Sequence, residues 1–179
     1  AFSPDGKTAL VSRDGDHKLS VLAVDGSKVE ATKRDIYAGL RPYPLDIASS
    51  GNVATVANIG MGSGDADTLS LIDLKANPPR VVDTVSVGQT PEGLKISPDG
   101  QHVAVTVMNG SNKPKNSPFF SDNGLVLIYA VAGSKLTKVT EAKVGHWCQG
   151  AAWSKDSKLL LVQCMVEQEL QAFSFDGKE

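Results

Sequence analysis

Helical periodicity is missing from this sequence. No window longer than about ten residues keeps apolar residues near a 3.6 spacing, which excludes a helical core. No apolar run approaches the roughly 20 residues of a membrane helix, so no helical membrane insertion is expected. Cysteine is scarce: Cys148 and Cys164 are the only two. That is too few for a disulfide-dense scaffold or a four-ligand zinc site. No haem attachment sequence is present, and no metal or other cofactor is called for. Charge of one sign is also lacking. Lys and Arg total 18 against 20 Asp and Glu, for a net charge of -2. Nucleic acid is therefore not an expected partner, because phosphate binding needs a concentrated basic surface. A basic-then-apolar leader is absent as well. Ala1-Phe2 reads as the middle of a strand, which implies residues upstream.

What the sequence does contain is a repeat. Phe2-Ser-Pro-Asp-Gly-Lys7 and Ile96-Ser-Pro-Asp-Gly-Gln101 are two copies of one turn. Ile47-Ala-Ser-Ser-Gly-Asn52 and Trp153-Ser-Lys-Asp-Ser-Lys158 are worn copies. The apolar leads fall at 2, 47, 96 and 153, at spacings of 45, 49 and 57 residues. A period of that size marks a stacked or radial repeat protein.

Each copy lies between short alternating runs, as in Glu92–Ile96 and His102–Val107. Val, Ile and Thr at every second position are strand chemistry, and Pro-Asp-Gly between two strands is hairpin chemistry. Third runs begin at Leu19, Leu69, Leu125 and Leu170. Fourth runs are clear at 81–87 and 136–144, and poorer at 29–37. Four antiparallel strands per ~45 residues make the blade of an all-β propeller. A β-sandwich competes, but it predicts no fourfold repeat. The chain divides into blades at about 1–41 (partial), 42–88, 89–145 and 146–179 (partial), forming one domain or a piece of one. At ~45 residues per blade, a seven-bladed ring would need roughly twice this length. The reading is therefore part of a larger ring with open blade edges, which could self-associate. The alternative is a closed four-bladed ring in which the C-terminal tail supplies the first blade's missing strand.

The segments Ile96-Ser-Pro-Asp-Gly with Val103-Ala-Val-Thr, Phe2-Ser-Pro-Asp-Gly-Lys with Ala9-Leu-Val, and Thr55-Val-Ala-Asn58 resemble the YVTN-type repeats of seven-bladed propellers. That group includes the bacterial lactonases and the amine dehydrogenase large subunits. The tryptophan-aspartate dipeptide of the related WD40 repeat is absent. The resemblance implies a propeller and leaves function open, since such propellers serve enzymes and passive binders alike. In the lactonases it implies an Arg-His pair entering a first strand and a Glu after the second. The entries at Tyr43-Pro44-Leu45, Pro91-Glu92-Gly93 and Cys148-Gln149-Gly150 show no Arg-His pair. Asn58 and Asn109 close second strands without a following Glu.

In a propeller the fourth-to-first and second-to-third loops share the face that carries the channel mouth. The repeat therefore nominates Arg41, Tyr43, Asn58, Gln89, Glu92, Asn109, His146, Trp147 and Gln149 as ligand-binding candidates. Gly145–Gln149 offers a base, a stacking surface and a thiol in one loop. The bland alternative is a packed Trp147, a solvated His146 without a partner and a buried Cys148. Asn58–Asp67 carries Gly and alternating Asp, a calcium-loop habit, but lacks the further carboxylates of an EF-hand, so a solvated loop is expected. Phe119-Phe120, in the long loop 109–123, either cover a pocket or tuck back onto the rim. The leading functional expectation is a non-catalytic module that binds a small molecule or protein on the channel face. The alternatives are a lactonase-like hydrolase and a propeller subunit of a periplasmic dehydrogenase. A periplasmic or secreted location is the corresponding expectation.

Two finer expectations concern hairpins. Gly6 and Gly100 should tolerate Val less well than Gly133, because a tight turn needs φ > 0. Pairing Trp153 with Leu160, by analogy with Ile96 and Val103, leaves Cys164 opposite Gln149 and both thiols free. A hairpin centred on Asp156 would instead set Cys148 against Cys164, within disulfide reach. Free thiols are the expectation.

Overall fold

The computed structural model describes residues 1–179, and they form four antiparallel sheets with no α-helix. The first holds β1 (Thr8–Arg13), β2 (Lys18–Asp25) and β3 (Lys28–Tyr37). The second holds β4 (Pro42–Ile47), β5 (Val53–Asn58), β6 (Asp67–Asp73) and β7 (Arg80–Gly88). The third is β8 (Pro91–Ile96), β9 (His102–Val107), β10 (Gly124–Ala132) and β11 (Lys135–Val144). The fourth is β12 (Cys148–Trp153), β13 (Leu159–Cys164) and β14 (Glu169–Ser174). A single 3₁₀ turn, Asp14–Asp16, links β1 to β2. Within each sheet the strands follow chain order, the meander of a propeller blade. Ala1–Ser3 pair with β1 through Ala1–Leu10 backbone bonds and the Phe2–Ala9 bridge, in the place of the first blade's inner strand.

The repeated turn owes its shape to its own side chains. In Ser3–Gly6, Ser97–Gly100 and Ser154–Ser157 the last N–H returns to the first carbonyl at 2.8–2.9 Å. The leading Ser hydroxyl donates to the Asp two residues on, at 2.5–2.6 Å. The closing residue needs a left-handed backbone, and Gly6, Gly51 and Gly100 supply it at φ 69°, 70° and 74°. In the fourth copy Ser157 holds φ 60°. Its hydroxyl, buried with the residue, accepts the Asp99 N–H of the preceding blade's turn at 3.3 Å. This contact gives a reason for Ser at a position where Gly is less strained. Gly133 also sits at φ 59°, so the expected contrast with Gly6 and Gly100 is not supported. The β10–β11 connection is an equally tight hairpin.

The cores lie between blades rather than within them, because one sheet has two faces and no layer of its own to bury them against. Leu10, Leu19, Ile36, Ala54, Val56 and Ile72 fill the first gap. Leu69, Leu71, Val103, Val105, Val107 and Leu127 fill the second. Ala104, Val126, Leu160, Val162 and Phe175 fill the third, with the two cysteines. Each fully buried Leu or Val contributes about 1.5–3 kcal/mol of transfer free energy. Polar ties cross the same gaps. Asp46 accepts the Ile96 N–H and the Lys95 ammonium, both at 3.0 Å, and Asp83 accepts the Leu136 N–H at 2.8 Å. The C-terminal tail stays on the fourth blade, where Phe175 packs edge-on to His102 and Trp153. It does not complete the first blade, so the closed four-bladed arrangement does not form.

The cysteines correct the free-thiol expectation. Trp153 does pair with Leu160, as Ile96 does with Val103. The register then shifts by one residue between Gly150 and Cys148, and Cys148 falls opposite Cys164. The two form a disulfide, with Cα atoms 4.0 Å apart. A β-bulge at Gln149 supplies the extra residue. Analogy between hairpins carried the pairing correctly as far as the bulge and not beyond it.

Candidate functional site

The loop face is built by one device used three times. Arg41, Thr90 and Trp147 each precede a blade's inner strand and each takes a left-handed backbone, φ 55°, 56° and 50°. Such a backbone is unusual for a bulky or β-branched residue and persists only where the surroundings hold it. The carbonyls of all three accept N–H groups from the end of their own blade's second strand: Ile59 to Arg41 at 2.9 Å, Met108 to Thr90 at 3.0 Å and Met165 to Trp147 at 3.2 Å. Their own N–H groups reach the preceding blade. Arg41 donates to His17 Nδ1 at 3.2 Å, Thr90 to Asp67 Oδ2 at 2.8 Å, and Trp147 to Ser111 Oγ at 3.2 Å. Second-to-third loops thus fix the neighbouring fourth-to-first loops, and both sit on one face.

Just past each left-handed residue the inner strand bulges: at 43–44 in β4, at 92 in β8 and at 149 in β12. Tyr43, Glu92 and Gln149 are therefore equivalent bulge residues on successive inner strands, and bulges commonly re-aim side chains at functional sites. Tyr43 is exposed. The Gln149 amide donates to the Glu92 carboxylate, joining two blades at the axis. The other candidates are placed differently. Asn58 is buried and donates to Ala38 O, Thr68 Oγ1 and Ser70 Oγ. Asn109 donates to Ser121 Oγ and Asn123 O, shaping the long loop. Gln89 keeps a buried Oε1 without a partner. Arg41 pairs with Asp14 at 3.0 Å and reaches Gly60 O at 3.4 Å.

His146 does have a partner. Its Nδ1 lies 2.6 Å from Glu167 Oε1, and its backbone N–H points at both carboxylate oxygens, at 3.0 Å each. Burial pushes the Glu167 carboxyl up, but the hydrogen bonds from the His146 ring and backbone outweigh it and hold it below its ordinary value. An ionised carboxylate only accepts, so Nδ1 is the donor in this contact. Both side chains keep about a third or a quarter of their surface, 32% and 26%. Trp147 stands exposed beside them, Ser111 is buried beneath its N–H, and Asn112 has a buried Oδ1 without a partner. Glu167, Ser111 and Asn112 were not among the nominated residues. The repeat does place Glu167 in the second-to-third loop Met165-Val-Glu167 of the channel face, but no motif singles it out from that loop.

The long loops dock on each other. Lys113 Nζ donates to Gly62 O at 2.7 Å, and the Phe119 ring covers Gly64 so closely that a Cβ there would meet it at 2.5 Å. Phe119 therefore tucks back across the second blade's glycine loop. In that loop Asp65 accepts from Ser63 and Asp67 from Thr90.

No family model and no curated protein sequence matches the chain. Solved structures do. A protein from Bacteroides uniformis provisionally designated a 6-phosphogluconolactonase superposes with a TM-score of 0.78 at 18% identity, over 99% of this chain and 50% of that one. A Bacteroides fragilis protein with the same provisional designation gives 0.77 at 21%, over 98% and 49%. Hydrazine synthase of Kuenenia stuttgartiensis gives 0.75 at 21%, over 98% and 51%. The chain spans about half the length of these structures. At such identities the likeness establishes the fold alone: a set of propeller blades of the kind found in lactonase-type proteins.

Proposed function

We propose that the chain is the binding segment of a larger YVTN-type propeller and takes a small polar molecule on its loop face, between the third and fourth blades. The observation that carries this reading is the cluster of Trp147, His146 and Glu167, with an exposed aromatic face beside an oriented imidazole. Aromatic walls with a few convergent polar groups are the usual make-up of small-molecule sites. The disulfide supports a periplasmic or secreted setting, since such bonds persist in oxidising compartments. Titration of Trp147 emission in a Trp153→Phe background tests the reading. A saturable change with a polar ligand, weakened at least about tenfold by Glu167→Gln, is expected. No saturable change across a broad polar-metabolite panel refutes it.

The His146–Glu167 pair favours a second reading, a lactone hydrolase. It sets a His before an inner strand and a Glu after the second strand, the arrangement implied by the lactonase resemblance, though Arg is absent beside the His. In this chemistry Nε2 takes a proton from water as the oxygen attacks the lactone carbonyl. The ring C–O bond then breaks, and the alkoxide recovers that proton from the imidazolium to give a hydroxy acid. Acid release during incubation with simple lactones, read as base consumed to hold the pH, decides between the readings. Turnover abolished by His146→Ala establishes the hydrolase and overturns the binding-only reading.

A further inference from the structure

A second site is carried by the groove between the first and second blades. It has a volume of about 700 Å³, within the range of small-molecule sites, and is walled by Tyr37, Leu40 and Val81. Two carboxylates line it, Asp65 and Asp67, and neither takes part in a salt bridge. Asp67 is only 6% exposed. A buried carboxylate is normally paired, because burial without a counter-charge is costly. The Thr90 N–H at 2.8 Å satisfies one oxygen and supplies no charge. His17 also lines the groove, but its Nδ1 accepts the Arg41 N–H at 3.2 Å and it forms no salt bridge with either carboxylate, while Lys18 and Arg41 pair with Asp35 at 2.8 Å and Asp14 at 3.0 Å.

Independently, Asn58 is 1% exposed, lines the same groove, and has an Oδ1 with no partner. Its Nδ2 donates to the Ala38 carbonyl, which cannot donate in return, so the amide orientation is fixed with the oxygen free. The groove thus presents unused acceptors and unpaired negative charge against an aromatic and aliphatic wall. The missing complement is a positively charged donor with an apolar body.

We propose that this groove binds a small organic ammonium compound, its cationic N–H groups held by Asp67, Asp65 and Asn58 Oδ1 and its hydrocarbon part packed on Tyr37 and Leu40. The site is separate from the cluster between the third and fourth blades. Burial holds the Asp67 carboxyl above its ordinary value, and a bound ammonium would offset that cost.

Calorimetric titration of the oxidised protein with 1,4-diaminobutane tests the proposal, with 1,4-butanediol as the uncharged isostere and calcium chloride as the inorganic cation, all at one ionic strength. The diamine should bind saturably, and the diol at least about tenfold more weakly. Ala66→Arg, at an exposed lining position, places a cation in the groove and should abolish diamine binding while leaving the circular dichroism spectrum unchanged. Asp67→Asn keeps an acceptor for the Thr90 N–H and should weaken binding at least about tenfold. The proposal is overturned if the diol binds as tightly, if calcium alone gives the saturable signal, or if Ala66→Arg leaves diamine binding intact.

Discussion

Breaking the Cys148–Cys164 bond should cost this protein a measurable share of its stability. The bond closes a loop of sequence separation 16, and constraining a loop of ~15 residues in the unfolded chain is worth about 3 kcal/mol. Both half-cystines are fully buried in the core between the third and fourth blades, so the reduced sulfurs, no longer bonded, must move apart within a packed space. The entropic figure is therefore a lower bound on the loss. In urea, with a slope of about 2 kcal/mol/M, the unfolding midpoint should fall by at least about 1.5 M when reductant is present. The double variant Cys148→Ala/Cys164→Ala should unfold near the reduced midpoint and be indifferent to reductant. Thiol counting in the denatured, unreduced protein should find none. Two thiols per chain, or identical midpoints with and without reductant, would refute the bulge-based pairing. Reduction should also loosen the His146–Glu167 contact, since Cys148 lies two residues after His146 and Cys164 three before Glu167.

Gly93→Ala should destabilise by at least the 1–3 kcal/mol typical of overpacking, because an added Cβ would lie 1.7 Å from the Gln149 carbonyl oxygen. A melting curve matching the parent's would show that β8 and β12 are not so closely apposed. Gly100→Val and Gly133→Val should each lower stability by about 1–3 kcal/mol and to a similar degree, both residues being left-handed in open space; a clear difference in denaturation midpoint would restore the discarded contrast. Glu167 has a lowered folded-state pKa, so its contribution is present above the unfolded value near 4.5 and is lost as pH falls through the lowered one. Glu167→Gln should flatten that acid limb, as measured by melting temperature between pH 2 and 6. Asp67 has the opposite sign. Its pKa is raised, so ionisation penalises the fold as pH climbs through and above 3.8. In the absence of ligand, Asp67→Asn should melt no lower than the parent at pH 7 and lose any advantage at pH 3; the reverse pattern would mean a cationic partner within the fold.

The blades were legible in the sequence because their determinants are local. Ser-Pro-Asp-Gly makes its turn with its own hydroxyl, carboxylate and backbone, and alternation of Val, Ile and Thr needs only the neighbouring strand. Even the altered copy at 153–158 keeps the Ser and Asp that close it. The face on which the candidate residues sit followed from strand order alone. Three things did not. The bulge at Gln149 moves one residue out of register, and a hairpin motif does not reveal where its ladder slips. The Glu167–His146 pair joins residues 21 apart across a disulfide-linked hairpin, so its 2.6 Å contact depends on that same slip. The Asp67 groove depends on how two blades lean together: Asp67 reads as one more loop carboxylate until the first blade and the Thr90 turn close around it. Pairing within a blade follows from side chains a few residues apart, whereas burial between blades follows from long-range packing that no short motif encodes.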